Sequence, residues 1–357
     1  MRILLMATPV APLGAGKTGG VTLHIKNAAA ALASRGHHVT VMAPDGSVLP
    51  GVDLVTLPGT CQPSLASEAG EEFYPIPENS VLGAMWHAAL ARQSDHDAII
   101  NIAHDWLPYY LTDFFQTPVL HMVNMTDVNA PTTAEIARVS NRYEARIAVM
   151  TQAQAERLGG VKDPILVSFG LDLSVYEFNS DGQGGVAWAG RISPEKGLED
   201  ALAIARDLAE PLIVAGAVDD QTYWTRLTDE FGDSMDYRGF LATPDLQSLL
   251  GQARVVLQTQ KWHEAFGIVT IEAMACGTPV VAYARGANQE LVIDGVTGFL
   301  VTPGDKAAAA QAVSRIAGID RAACRHAVAQ RFSLPAYGEN LQNWLDQALS
   351  GQRPKTA

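Results

Sequence analysis

At 357 residues the chain is longer than one ordinary core supports, so two domains are expected. Hydrophobic residues make up 48% and charged residues 18%, and the net charge of −13 is shared: residues 1–178 carry 10 Lys and Arg against 17 Asp and Glu, and residues 179–357 carry 15 against 21. No basic face is left for nucleic acid or an anionic bilayer, which points to a small or neutral partner.

The chain opens on Met1-Arg2-Ile3-Leu4-Leu5-Met6-Ala7, which has only the briefest likeness to a signal peptide. Its apolar run is short and ends in a Gly-rich loop, so residues 3–8 read as a first buried strand. The loop spans 13–20, and a helix is expected over 21–34 with Arg35-Gly36 as its stop. Strands follow at 39–43, 53–57, 98–102, 119–123 and 147–150, alternating with helical patterns near 80–92 and 131–142. That alternation predicts a parallel sheet with helices on both faces, and ligands then gather at the carboxyl ends of the strands.

Three features of this half bear on chemistry. Gly16-Lys17-Thr18 looks like the end of a P-loop, although Ala11 stands where that motif needs glycine. The other reading is that Gly19-Gly20 lets backbone approach a diphosphate at the helix start. Further on, the loop after the strand at 98–102 carries His104, Asp105, Trp106, Tyr109 and Tyr110. Flat aromatic faces there would suit a ring-shaped acceptor, or would simply pack a helix on the sheet. His104 is either a base or a hydrogen-bonded structural residue. His37-His38 reads as structural and Asp95-His96-Asp97 as a solvated turn.

Asn179-Ser180-Asp181-Gly182-Gln183-Gly184-Gly185 reads as a linker. A second strand–loop–helix unit begins at once: a strand at 186–189, the loop Gly190-Arg191-Ile192-Ser193-Pro194-Glu195-Lys196-Gly197, and a helix at 198–208. Ser193 is expected as N-cap with Pro194 in the first helical position. Arg191 offers a planar two-pronged donor and Lys196 a point charge, a pairing that suits a diphosphate. Strands at 212–215 and 255–258 flank helices near 220–231 and 245–251, with Asp219-Asp220 read as a helix start.

Glu264 and Glu272 then stand eight residues apart, with Gly267 between them, in a small-residue helical pattern closed by Gly277. Eight residues of helix rise about 12 Å, so the two carboxylates could serve separate points of an extended ligand. Amides around Phe266 would face an anion at the helix start. A strand at 280–283, a turn and strand over 294–301, and helices ending near 334–349 complete the chain. Cys61, Cys276 and Cys324 stand far apart with no C-x-x-C pair, so neither a disulfide framework nor a zinc site is indicated, which suits a reducing cytoplasm. No run of about 18 apolar residues exists to cross a membrane.

The second half resembles the family 4 glycosyltransferases, retaining enzymes of GT-B fold. The matching residues are Gly190-Arg191 with Lys196-Gly197, Gly239, Glu264-Ala265-Phe266-Gly267, Glu272 through Val281, Asp294-Gly295 and Gly298-Phe299-Leu300-Val301. Gly19-Gly20 and Arg35-Gly36-His37-His38-Val39-Thr40-Val41 extend the likeness into the first half. The resemblance implies two doubly wound Rossmann-like domains facing a cleft: an N-terminal acceptor-side domain at 1–178, the linker at 179–185, and a nucleotide-sugar domain at 186–332. The last helix, 333–357, would cross back to the first domain.

It also implies roles. Arg191 and Lys196 would hold the donor diphosphate and stabilise it as leaving group, and Gly19 and Gly20 would bring backbone to it. Glu264, with the amides of Phe266 and Gly267, would contact the donor sugar, and Glu272 the ribose. Phe240 and Leu241 would lie near the base. Where the family carries a histidine in its sugar site, this chain has Asn124, with His121 on the strand itself.

Thr8-Pro9-Val10, Asp105-Trp106-Leu107-Pro108, Phe114-Phe115, Lys261-Trp262 and Tyr283-Ala284-Arg285-Gly286 are further similar to the cyanobacterial UDP-glucose:tetrahydrobiopterin glucosyltransferases. That likeness implies a reduced pterin as acceptor, held by His104, Asp105, Trp106, Tyr109 and Asn124. The expected activity is metal-independent, cytoplasmic transfer of glucose from UDP-glucose to a small acceptor, with no other cofactor and no nucleic-acid partner. A P-loop NTPase and a non-catalytic nucleotide-sugar sensor are the alternatives from other classes.

Overall fold

A computed structural model of the protein describes residues 1–14, 19–62, 76–126 and 129–350. The chain divides into two compact units, Met1–Gly170 joined by the C-terminal segment from Leu334, and Leu171–Ser333.

The first unit contains β1 (Arg2–Met6), α1 (Gly19–Ser34), β2 (His38–Pro44), β3 (Asp53–Leu57), α2 (Val81–Arg92) and β4 (Ala98–Asn101). It continues with α3 (Trp106–Leu111), β5 (Val119–Val123), α4 (Ala130–Arg142), β6 (Ile147–Val149), α5 (Gln152–Arg157) and β7 (Ile165–Leu166). Seven strands pair in parallel in the order β3-β2-β1-β4-β5-β6-β7. Helices cover both faces, which is why Ile3, Leu4, Leu5 and Met6 are all buried and β1 reads as a continuous apolar run. The strand order reverses between β1 and β4. A crevice therefore opens beyond their carboxyl ends, where the 7–14 and 102–106 loops lie.

The second unit contains β8 (Val186–Ala189), α6 (Leu198–Asp207), β9 (Leu212–Ala215), α7 (Gln221–Phe231), β10 (Met235–Tyr237), α8 (Thr243–Gln252) and β11 (Val255–Gln258). It closes with α9 (Ile268–Ala275), β12 (Val280–Tyr283), α10 (Asn288–Leu291), β13 (Gly298–Val301), α11 (Lys306–Ser314) and α12 (Arg321–Phe332). Six parallel strands run β10-β9-β8-β11-β12-β13. Here the reversal falls between β8 and β11. The loops beyond their carboxyl ends are the two that carry Arg191, Lys196 and Glu264.

The last helix, α13 (Leu334–Ser350), packs on α1 of the first unit. Tyr337 Oη lies 3.0 Å from His24 Nε2, and Trp344 Nε1 donates to the Ala145 carbonyl at 2.7 Å. Tyr337 also explains Gly170, where any Cβ would sit 2.4 Å from the ring.

Several expected elements have other bounds, α5 and β7 are not among those expected, and α3 is the helix that the 106–110 aromatics left open as one of two alternatives. Pro108 inside α3 argues against a helix, yet it occupies the first turn, whose N–H groups have no intrahelical partner. Asp105 caps that turn by accepting from Leu107 N at 3.1 Å. The stretch 179–185, expected as a linker, lies within the second unit and packs on it. Asn179 Nδ2 donates to the Gly251 carbonyl at 3.0 Å and Gly184 N to that of Gln252 at 2.9 Å. Its glycines reflect close approach: a Cβ on Gly184 would sit 2.6 Å from the Gln252 oxygen. Among the described residues no helix is long and apolar enough to cross a membrane.

Candidate functional site

The loop between β8 and α6 is held by its own turn and by hydrogen bonds to the loop after β11. Residues 194–196 form a single 3-10 turn, and Gly197 at φ 69° starts α6. No other residue fits there, because a Cβ would sit 2.1 Å from the Thr259 carbonyl oxygen. Ser193 does not cap the helix as expected. Its hydroxyl donates to Glu195 Oε1 at 2.6 Å, because the 3-10 turn intervenes before the helix begins. Lys261 N donates to the Glu195 carbonyl at 2.8 Å and Thr259 Oγ1 to that of Gly197 at 2.8 Å, tying this loop to the one after β11.

Arg191 is held between two carboxylates, donating from Nη1 to Asp219 at 2.6 Å and from Nη2 to Glu195 at 2.7 Å. A guanidinium has five N–H donors, so two such bonds orient it and leave others for a ligand. Asp219 and Asp220, expected together as a helix start, take separate parts. Asp220 does cap α7, accepting from Tyr223 N at 2.8 Å, while Asp219 turns to Arg191.

Lys196 and Glu264, 68 residues apart in sequence, meet directly: Nζ lies 2.5 Å from Oε2, with the side chains 17% and 16% exposed. Trp262 Nε1 donates to the same oxygen at 2.9 Å. The Glu264 main chain is held too, its carbonyl accepting from Ala287 N at 3.1 Å. Gly267 follows at φ 84°, a left-handed corner that starts α9. The Phe266 ring is buried edge-on against Phe332, so any ligand contact at that position falls to the backbone.

Glu272 does not join this group. It lies inside α9, 5% exposed, and accepts a hydrogen bond from the Tyr176 hydroxyl at 2.7 Å. Burial raises its pKa above the ordinary glutamate value, and the tyrosine bond opposes that shift without cancelling it. The Tyr176 phenol is pushed well up, by burial first and then by this carboxylate. Phe240 is 51% exposed and Leu241 half-buried, in the loop after β10. Gly216 N donates to the Gly239 carbonyl at 2.8 Å, which keeps that loop beside the end of β9.

In the first unit, Gly19 and Gly20 are the first residues of α1. The P-loop-like Gly16-Lys17-Thr18 lies outside the described residues. Beyond β4, both ring nitrogens of His104 and Oδ1 of Asn124 are buried without a hydrogen-bond partner among the described residues. Asn124 Nδ2 donates to the Ile102 carbonyl at 3.0 Å, which fixes its orientation beside that loop. Burial lowers the His104 pKa to about 4, so its imidazole is neutral, and raises that of Asp105. Gln62 Nε2 donates to Asp105 at 3.4 Å, a partner sequence reading missed.

The aromatics expected to form one acceptor platform divide. Trp106 and Tyr110 stack at 4.6 Å on the exposed face of α3. Tyr109 points the other way, fully buried and stacked at 4.5 Å on His121, so its ring lines no surface. Helical geometry permits this, since Tyr109 and Tyr110 are adjacent residues and lie about 100° apart around the axis, with Trp106 between them in angle. His121 is also spent in the core, between Asn101 Nδ2 at 3.1 Å and Thr112 Oγ1 at 2.8 Å.

Residues 178–326 match the family model for glycosyl transferases group 1. Over 93% of this chain and 89% of its own length, a glycogen synthase of Mycobacterium tuberculosis is 27% identical. A D-inositol 3-phosphate glycosyltransferase of Mycobacteroides abscessus is 28% identical over 98% and 90%. Among solved structures, Anabaena Alr3699/HepE in complex with UDP and glucose superposes with a TM-score of 0.75 at 19% identity, covering 97% of this chain and 99% of that one. AviGT4, a glycosyltransferase involved in avilamycin A biosynthesis, gives 0.74 at 20% identity over 99% and 100%. The two parallel-sheet Rossmann-like units are those of the GT-B glycosyltransferases.

Proposed function

We propose that this chain, a glycosyltransferase of group 1, moves glucose from UDP-glucose to a tetrahydrobiopterin-type pterin with retention of configuration and without a metal ion. The observation that carries the donor half is the meeting of Lys196 and Glu264 where the strand order of the second unit reverses, with Arg191 on the same loop as Lys196. Two cations on a rigid loop suit a diphosphate, and a carboxylate with one oxygen already occupied keeps the other for sugar hydroxyls. That HepE is described with UDP and glucose favours the same donor here.

In this reading the bond between glucose C1 and the β-phosphate oxygen breaks, and its electron pair stays with UDP. Arg191 and Lys196 meet the charge as it develops on the leaving diphosphate, a role metal ions fill elsewhere. The acceptor hydroxyl bonds to C1 on the same face, and its proton leaves with the phosphate. Glu272, steadied by Tyr176, would take the ribose hydroxyls. In the first unit the neutral His104, whose ring nitrogens have no hydrogen-bond partner among the described residues, offers hydrogen bonds to a polar acceptor ring, and Trp106 and Tyr110 offer flat faces.

The test is incubation with a panel of sugar nucleotides and tetrahydrobiopterin in EDTA, read by mass spectrometry. A hexosyl-pterin formed from UDP-glucose is expected. Transfer from UDP-glucose to another acceptor would remove the pterin and keep the donor. Failure with every sugar nucleotide would remove the transferase reading.

A further inference from the structure

The donor-site reading gives Trp262 no role, yet this residue touches both charged groups of the site. Its Nε1–H reaches Glu264 Oε2 at 2.9 Å, and Lys196 Nζ lies 4.7 Å from its ring centroid. The ammonium lies 2.5 Å from that same oxygen. Ammonium, indole and carboxylate thus close a triangle on one atom.

Paired at 2.5 Å, Lys196 and Glu264 neutralise each other. A diphosphate that draws the ammonium off leaves Glu264 as a largely buried carboxylate, and such a charge is costly unless it stays hydrogen-bonded. The indole N–H is a neutral donor that does not depart with the lysine, so it keeps one charge-assisted bond on Oε2. Its ring face gives the moving ammonium a second favourable neighbour. Trp262 therefore lowers the cost of separating the pair.

We propose, on the basis of the donor-site reading above, that Trp262 is a positioning residue that holds Glu264 while a nucleoside diphosphate takes Lys196. It sets affinity for the diphosphate and not for the nucleoside. Its N–H acts only through the Glu264 carboxylate. A merely structural tryptophan would show neither property.

The experiment is titration of the full chain with uridine and with UDP by ligand-observed NMR. The variants are Trp262→Phe, Trp262→His, Glu264→Gln and the Trp262→Phe/Glu264→Gln double, each checked for folding by circular dichroism. Trp262→Phe keeps the ring face and loses the donor, so UDP should bind about tenfold more weakly, the scale of one hydrogen bond to a charged group. Uridine should be unaffected. Trp262→His carries a ring N–H and should recover part of the loss, and it serves if the phenylalanine variant folds poorly. In the Glu264→Gln background, Trp262→Phe should cost nothing further. Equal losses for uridine and UDP, or the full loss persisting in that background, would overturn the inference. If the unaltered protein binds uridine and UDP alike, or neither, the donor-site reading itself falls and this inference with it.

Discussion

Lys196 carries the most weight of any single residue, because the proposed chemistry needs a cation where the leaving group's charge appears. Lys196→Ala should lower kcat by about 10²- to 10³-fold, the scale of losing one stabilising group, while the far-UV circular dichroism stays unchanged. Near-normal turnover would remove Lys196 from catalysis. Glu272 makes a different prediction. Burial raises its pKa, so above the ordinary glutamate value the folded protein holds a proton that the unfolded chain has released. Stability from this group is thus present at low pH and lost as pH rises. Glutamine keeps an acceptor for Tyr176 and cannot ionise. Glu272→Gln should therefore melt higher than the unaltered protein at pH 8, with the gain fading toward pH 4 and UDP affinity falling. A melting difference that grows toward low pH would contradict this. Arg191, Lys196 and Glu264 were legible as residue types at fixed offsets within short motifs. Their partners were not. Asp219 lies 28 residues from Arg191, and Tyr176 lies 96 from Glu272, so only the fold brings them together.

At the scale of elements, the strands were legible because buried parallel strands are short apolar runs bounded by turn residues. The runs at 186–189, 212–215, 255–258 and 280–283 have the bounds expected of them. Connections were harder to read, because their glycines serve apposition more than turning. Gly197 combines a left-handed φ of 69° with a carbonyl 2.1 Å from any Cβ. Gly197→Ala should destabilise the protein by roughly 2 kcal/mol or more and displace Lys196, weakening UDP binding in the same variant. An unchanged melting temperature with unchanged UDP affinity would show that the loop tolerates a side chain. The stretch 179–185 makes the same point, since its linker-like composition belongs to a segment pressed against the second unit. For α3, the sequence left open whether its aromatics pack a helix on the sheet, and so left open the face on which each one sits.

For the whole molecule, two units with separate cores invite separate responses to acid. His24, His104 and His121 all lie in the first unit, and burial lowers their pKa values from 6.5 to about 4, about 4 and about 3. Below about pH 6.5 the unfolded chain takes up protons that the folded unit refuses. Their contribution is complete above that pH and is lost as pH falls toward the folded values. Hydrogen exchange followed from pH 7.5 to 5, corrected for intrinsic rates, should show β1, β4 and β5 losing protection ahead of β8 and β11. Loss in the reverse order would contradict the assignment.

The central claim, retaining transfer of glucose from UDP-glucose by a site of Arg191, Lys196 and Glu264, is tested most directly by proton NMR of the reaction with tetrahydrobiopterin in EDTA. UDP should appear together with an α-linked glucosyl signal on the acceptor, and neither should form with Lys196→Ala. A β-linked product, or UDP-glucose left intact while the protein is folded, would contradict it.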